Sequence, residues 1–286
     1  MKLLSFRSAG EDSWGVLVGE AIVDIGRSHK NRWPSLRSML EAGACDEVER
    51  IAAQISPTLR LDHVTLRPVI PDPTKILCIG VNYHEHRIET GRDESAHPTV
   101  FTRFANSQVA HGEALRRPME STQFDYEGEI AIIIGRRGRR IAAGDAWQYV
   151  AGYAPYCDAT LRDWQRHTSQ WTPGKNFPAT GGFGPYMVTR DEIEDGADLS
   201  LITRLNGIEV QRSSMALMIF GIPEILAYCS VFTELLPGDV IATGTPGGVG
   251  SKRQPPLWLK HGDSLEIEVG RVGTLRHPVS DEGGLQ

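Results

Sequence analysis

The chain has 286 residues, 40% of them hydrophobic and 23% charged, with a formal net charge of -6 at pH 7. That length and apolar content suit a globular protein of one large or two unequal domains. An acidic chain whose one dense basic run is Arg136, Arg137, Arg139 and Arg140 excludes an extended nucleic-acid surface. The run follows an apolar strand and reads as a solvated turn. No apolar stretch nears the ~20 residues a bilayer requires, and the amino terminus has no signal-peptide pattern, so no membrane partner is expected. Cys45, Cys78, Cys157 and Cys229 are scattered without a CxxC pair and read as reduced thiols of a cytoplasmic protein.

In chain order, Lys2–Phe6, Trp14–Val18 and Ala21–Ile25 read as short strands, the last two joined as a hairpin through Gly19-Glu20. Amphipathic helical segments follow at Ser35–Glu41 and Asp46–Ile55, then a strand near His63–Leu66. Three prolines between Arg67 and Pro73 favour extended backbone and place a boundary between residues 1–70, a small amino-terminal unit, and residues 71–286. Lys75–Ile79 is a buried strand ending at Gly80. If Tyr83–Thr90 is helical, His86 and Glu89 share a face, so that the carboxylate orients the imidazole, raises its basicity and lets the pair activate water. His84 and His86 diverge by about 200° on such a helix, which disfavours a two-histidine metal site. Thr99–Phe104 is a further strand, its apolar character interrupted by Arg103, and Asn106-Ser107 opens a loop.

The stretch from Phe124 to Gly135 begins with carboxylates and continues as an aliphatic run that reads as a buried strand. Alternate side chains of a strand share a face, so Glu127 and Glu129 bring two like charges close together. Hard oxygen donors at the rim of a core suit Mg2+, Mn2+ or Ca2+, whereas zinc favours His or Cys. The other reading is a pair of solvated rim charges, or charges paired with arginines. Ala143–Val150 reads as a short helix, and Ala151–Tyr156 as a strand that delivers a third carboxylate, Asp158. Arg162 and Gln165 share a face if residues 160–167 are helical; Arg162 suits a substrate carboxylate or a salt bridge to Asp158 or Asp163.

Trp171–Pro185 reads as loop throughout, with Lys175 partly desolvated among apolar, Gly and Pro residues. Leu201–Leu205 and Ile208–Arg212 form a hairpin across the Asn206-Gly207 turn that type I′ geometry demands. Gln211 leaves it near the polar region. A helix opens at Pro223, with Ile225, Cys229, Phe232 and Leu236 at helical spacing, and stops at Pro237-Gly238-Asp239. Val240–Ala242 is a strand running into the glycine-rich Thr243–Gly250, which is not a P-loop but offers backbone amides to an acidic ligand. Ser264–Val269 and Thr274–Val279 pair as an antiparallel hairpin around Gly270.

Taken together, these motifs resemble the fumarylacetoacetate hydrolase family, in particular its small acylpyruvate-hydrolase and isomerase-like members. Those carry, in order, G-x-N-Y-x-x-H-x-x-E, D-Y-E-x-E, D-x-x-x-R-D-x-Q, a loop lysine, an N-G hairpin followed by Q, and G-T-P-x-G-V-G. Here the matching residues are Gly80 to Glu89, Asp125 to Glu129, Asp158 to Gln165, Lys175, Asn206 to Gln211, and Gly244 to Gly250. The resemblance runs from Lys75 to Val279; the amino-terminal unit resembles the family's accessory domain less specifically.

It implies an α+β fold, a mostly antiparallel mixed β-roll with few helices and a small amino-terminal α/β accessory domain, commonly assembled as a homodimer. It also implies Glu127, Glu129 and Asp158 as ligands of Mg2+ or Mn2+, and His86 with Glu89 as a water-activating dyad on a lid. Lys175, Arg162 and Gln165 would contact the oxo and carboxylate oxygens of a 2-oxo acid, with Gln211 and Thr245 as further binding residues. Asp125 is not required as a ligand, and Arg103 stands where many relatives have Lys. The implied reaction is metal-dependent hydrolysis of a C–C bond in a 2,4-dioxo acid of acylpyruvate type, through a metal-bound enolate, to pyruvate and a carboxylic acid. Decarboxylation of oxaloacetate-like acids and isomerisation of an oxo-enoate are the alternatives on the same site, and the dyad favours hydrolysis. A non-catalytic binding subunit is disfavoured by the complete set of acidic ligands, dyad and lysine.

Overall fold

A computed structural model describes residues 1–283; residues 284–286, the end of the larger unit, lie outside the described residues. The aliphatic run is the strand Gly128–Ile134, buried along its whole length. Its two faces serve two different cores, which is why it shows no polar alternation. Ile130, Ile132 and Ile134 pack in a cluster with Leu201, Leu265, Ile267 and Leu275 of a second sheet. Ala131 and Ile133 point the other way, into a cluster with Trp14, Trp33, Leu36, Met39 and Val48 of the amino-terminal region.

Thirteen strands form the sheet that contains this run. From one edge, its main path runs through residues 59–60, 21–24, 11–18, 2–8, 187–189, 150–157, 128–134, 240–242, 76–80 and 99–103. Most neighbours are antiparallel; Val240–Ala242 and Ile76–Gly80 are parallel. Lys2 and Leu3 pair with Val188 and Met187, so the amino-terminal strands continue the same hydrogen-bonded sheet. A five-stranded sheet, in the order 208–214, 200–205, 264–269, 273–281 and 115–117, packs over the other face. The fold is thus α+β, rich in antiparallel strands and poor in helix.

Local expectations hold where the signal is local. The Asn-Gly hairpin pairs Leu205 with Ile208, with Asn206 and Gly207 both at positive φ. Ser35 caps Leu36–Glu41 in a reciprocal capping box. Four expectations are corrected. The helix read as Asp46–Ile55 spans Cys45–Ala52. The short helix near Ala143 is a 3-10 helix, Ala143–Tyr149. The helix at Pro223 spans Ile222–Phe232, ending before Leu236 and the Pro-Gly-Asp stop, because the chain turns extended at Thr233. Trp171–Pro185 is not loop throughout: Thr172–Lys175 is one helical turn, and Gly181–Phe183 is a strand between Tyr156-Cys157 and Gln108-Val109. All four cysteines are free, and among the described residues no helix is long and apolar enough to cross a membrane.

Strand Gly273–Asp281 places His277 in the interior, 1% exposed, with Nδ1 hydrogen-bonded to the Glu113 carbonyl at 2.8 Å. Its Nε2 is buried without a partner. Burial pushes its pKa down to about 4. The unfolded chain therefore binds more protons than the folded one between about 6.5 and 4. This histidine's contribution is fully present above that window and is lost as pH falls through it, up to about 3 kcal/mol. Thermal melts from pH 7 to pH 4.5 are expected to show this loss in the parent and a shallower slope in His277→Gln; equal slopes would exclude the assignment.

Candidate metal centre

Three carboxylates converge because of strand register. Gly128 pairs with Cys157 and Glu129 with Tyr156, so Asp158, just beyond its strand, lies beside Glu127, whose carbonyl accepts from the Asp158 amide at 2.9 Å. Glu127, Glu129 and Asp158 are 4%, 2% and 0% exposed, and each offers an oxygen within 4.8 Å of the others. The intervening glycine is obligatory on steric grounds: a Cβ on Gly128 would lie 2.0 Å from Thr203 Oγ1. Its peptide is gripped from both sides. Gly128 N donates to Gln211 Oε1 at 3.0 Å, its carbonyl accepts from Thr245 Oγ1 at 2.9 Å, and Gln211 Nε2 donates to that same threonine oxygen. Gln211 therefore braces the two glutamates and does not line the cavity, whereas Thr245 does both.

Around the carboxylates stand three buried cations. Lys175 Nζ lies 2.7 Å from Glu127 Oε2 and 2.5 Å from Asp158 Oδ2. Arg162 reaches Glu127 at 2.6 Å and Asp125 at 2.8 Å, and donates to Gln165 Oε1 at 3.1 Å. Its carboxylate partners are thus Asp125 and Glu127, not Asp158 or Asp163. Arg103 holds Asp158 Oδ1 at 2.7 Å, with further bonds to the Ala159 carbonyl and Thr180 Oγ1. Burial opposes ionisation of Glu127, but Arg162 and Lys175 outweigh it and bring its pKa down to about 2.

Glu129 differs. It has no cationic partner among the described residues and accepts from the Gly244 amide at 2.9 Å. Burial, then the charges of Asp158 and Glu127, drives its pKa well up. Four carboxylates, counting Asp125, thus face three cations, and the surplus negative charge falls on a ligand candidate. An all-oxygen donor set with one uncompensated carboxylate fits a hard divalent cation.

The dyad is formed. His86 and Glu89 sit on the helix His84–Thr90, which ends at Gly91 in the left-handed conformation, φ +66°. His86 Nδ1 is 2.7 Å from Glu89 Oε1, and Glu89 Oε2 accepts from the Gly248 amide at 2.9 Å. His86 lines a cavity of about 420 Å³ together with the three carboxylates, Lys175, Arg162, Gln165 and Thr245; Glu89 stands behind it.

Two features escaped the sequence reading. The glycine-rich loop offers its amides to the chain's own acids: Gly244 to Glu129, Gly248 to Glu89, and Gly250 with Ser251 to Asp125. Arg103, read as an interruption of a strand, fixes the carboxylate of Asp158, a candidate ligand. Both side chains of the Arg103–Asp158 pair are fully buried, so Arg103→Met is expected to cost about 3–5 kcal/mol in denaturant unfolding. Arg103→Lys, which keeps the charge without the fork, should fall between. A loss under 1 kcal/mol for the methionine variant would rule the clamp out.

Residues 75–280 match the family model described as fumarylacetoacetate (FAA) hydrolase C-terminal. The chain belongs to this family. Among relatives of the fumarylacetoacetate hydrolase family, it is 35% identical to the mitochondrial oxaloacetate tautomerase fahd2 of Xenopus laevis, over 98% of this chain and 90% of that one. The fold is similar to the crystal structure of a putative HpcE protein from Mycobacterium smegmatis, with TM-score 0.89, 30% identity, and coverage of 99% of this chain and 100% of that one. Maleylpyruvate hydrolase from Sphingobium sp. SYK-6, solved with manganese(II) and pyruvate, superposes with TM-score 0.83 at 26% identity, again over 99% and 100% of the two chains. Family membership thus carries tautomerase and hydrolase names on one fold.

Proposed function

We propose that this chain moves a proton between carbon and oxygen of a small 2-oxo acid, interconverting its keto and enol forms. The observation that carries the reading is the His86–Glu89 pair, at 2.7 Å, on the wall of the cavity whose floor is the carboxylate cradle. Glu89, itself anchored by Gly248, holds the Nδ1 side of the imidazole and leaves Nε2 as the working base. Such a base removes a proton from the carbon next to the keto group and returns it to the enol oxygen. Lys175, buried between Glu127 and Asp158 on the cavity lining, would set its positive charge beside the oxygen on which negative charge develops. Glu127, Glu129 and Asp158 would hold Mg2+ or Mn2+, which when bound polarises the 2-oxo acid's oxygens. The near full-length likeness to an oxaloacetate tautomerase supports this reading over decarboxylation, in which a proton-removing dyad has no evident use.

A second reading is favoured by cavity size. About 420 Å³ leaves room beyond a four-carbon acid for an acyl group and a water. There His86 would take the proton from water, hydroxide would add to the 4-keto carbon of an acylpyruvate, and cleavage of C3–C4 would release pyruvate and a carboxylic acid. The test is the Mg2+- or Mn2+-loaded protein with oxaloacetate, following the enol absorbance, and with acylpyruvates, following pyruvate, each with a chelator control. Metal-dependent enol exchange faster than buffer supports the tautomerase. Exchange at the buffer rate with pyruvate released from acylpyruvates moves the assignment to the hydrolase, and neither signal excludes both.

A further inference from the structure

Glu89 orients His86 and Gly248 anchors Glu89, so the dyad is only as fixed as a glycine-rich loop. Such a loop has little conformational preference of its own, and Gly248 itself sits at φ +97°. It is held by two residues that do not line the cavity, Tyr126 and Arg253. The Gly248 carbonyl accepts from Tyr126 Oη at 3.0 Å and from Arg253 Nε at 3.3 Å, and Arg253 Nε also donates to Tyr126 Oη at 2.9 Å. A second arm of the guanidinium donates to the Val210 carbonyl at 2.5 Å. That same carbonyl backs the loop, since a Cβ on Gly248 would come within 2.4 Å of it. Arg253 makes no ion pair among the described residues; its fork addresses three neutral oxygens on three segments of the chain. Tyr126 is fully buried, with Glu127 of the floor on one side in sequence and, on the other, Asp125, which accepts from the Gly250 and Ser251 amides. The helix that bears the dyad leans on the same loop, where a Cβ on Gly247 would lie 3.1 Å from Glu85 Cβ.

We infer that Arg253 and Tyr126 are positioning residues for the dyad: by fixing Gly248 they keep Glu89 on Nδ1 and hold His86 in the tautomer whose Nε2 is free to take a proton. This rests on the reading of His86 as the working base. Arg253 and Tyr126 then act through Glu89, away from the substrate, and what they protect is proton transfer rather than binding of the metal or of the 2-oxo acid. One hydrogen bond lost from such a chain corresponds to about three- to tenfold in rate.

The test reads the tautomer directly, by long-range nitrogen–proton NMR at pH 8 of protein labelled in its histidine rings, with the His86 signals assigned by their loss in His86→Gln. The parent is expected to show His86 protonated at Nδ1 alone. Tyr126→Phe and Arg253→Met should each move it toward a mixture of tautomers, and Arg253→Lys should lie between. In turnover both variants should lower kcat by the factor given above with KM and Mn2+ affinity unchanged, and in a Glu89→Ala background Arg253→Met should cost nothing further. A merely structural role would lower the melting temperature and leave the tautomer of the folded fraction intact. The parent tautomer retained in both variants, or an undiminished further loss in the Glu89→Ala background, overturns the inference. A parent in which His86 is not protonated at Nδ1 removes it together with the dyad reading. A tautomer that loosens as expected in a protein without turnover leaves the inference standing and removes the proposed function alone.

Discussion

Replacing Glu129 with Gln is expected to abolish Mg2+ and Mn2+ binding and turnover while leaving the metal-free protein folded and no less stable than its parent. Glu129 is 2% exposed, lacks a cationic partner among the described residues and keeps its hydrogen bond to Gly244 through an amide oxygen in the variant. Losing a ligand charge that polarises the reacting oxygens corresponds to several kcal/mol, or roughly a thousandfold in rate. The sign of the stability effect follows from the raised pKa. In chelator the folded parent holds a proton that the unfolded chain releases, so its stability falls as pH rises above the ordinary carboxylate range. Glutamine has no such dependence. Melts in chelator should show the variant equal to or above the parent at pH 8, and added Mn2+ should raise the melting temperature of the parent alone. An unaltered Mn2+ affinity in Glu129→Gln would sink the metal assignment.

The second large effect is expected at His86. Substitution by Gln removes the base while the cradle, built from other strands, is untouched, so metal affinity should stay at the parent value. Proton transfer should fall about 10²–10⁴-fold. Glu89→Gln retains the imidazole but loses the charge that orients it, and its loss should be smaller. Any metal-dependent decarboxylation of oxaloacetate, where a base has no role, would be spared in both variants. Equal loss of all activities in His86→Gln would show that the histidine positions rather than transfers protons.

Much of this site was legible because its determinants are local. An aliphatic run preceded by alternate glutamates announces a buried strand with carboxylates at its mouth, and a helix with His and Glu three apart announces a dyad. What stayed hidden depends on distant partners. Arg103 interrupts an apolar strand in the sequence, and its meaning appears only when Asp158, 55 residues away, arrives beside it. Asp125, not required as a ligand, is the partner of Arg162 and of two loop amides. Gly181–Phe183 carries too few side chains to advertise a strand, and its conformation is imposed by the neighbours on either side. Amides of the glycine-rich loop looked free for an external anion, because nothing in the sequence says which acids fold back onto them.

The position of the cradle within the large sheet has a consequence for how this protein could change over evolutionary time. Its floor lies on and at the ends of strands 128–134 and 150–157, each hydrogen-bonded on both sides and packed on both faces. His86 belongs instead to the short helix His84–Thr90, and Arg92, Arg166 and Lys252 on the cavity wall to connections outside those strands. Substitution there leaves the sheet register, and hence the convergence of the carboxylates, undisturbed. New substrates, and even new bond-breaking steps, are therefore accessible by revising exposed connections around an inherited floor.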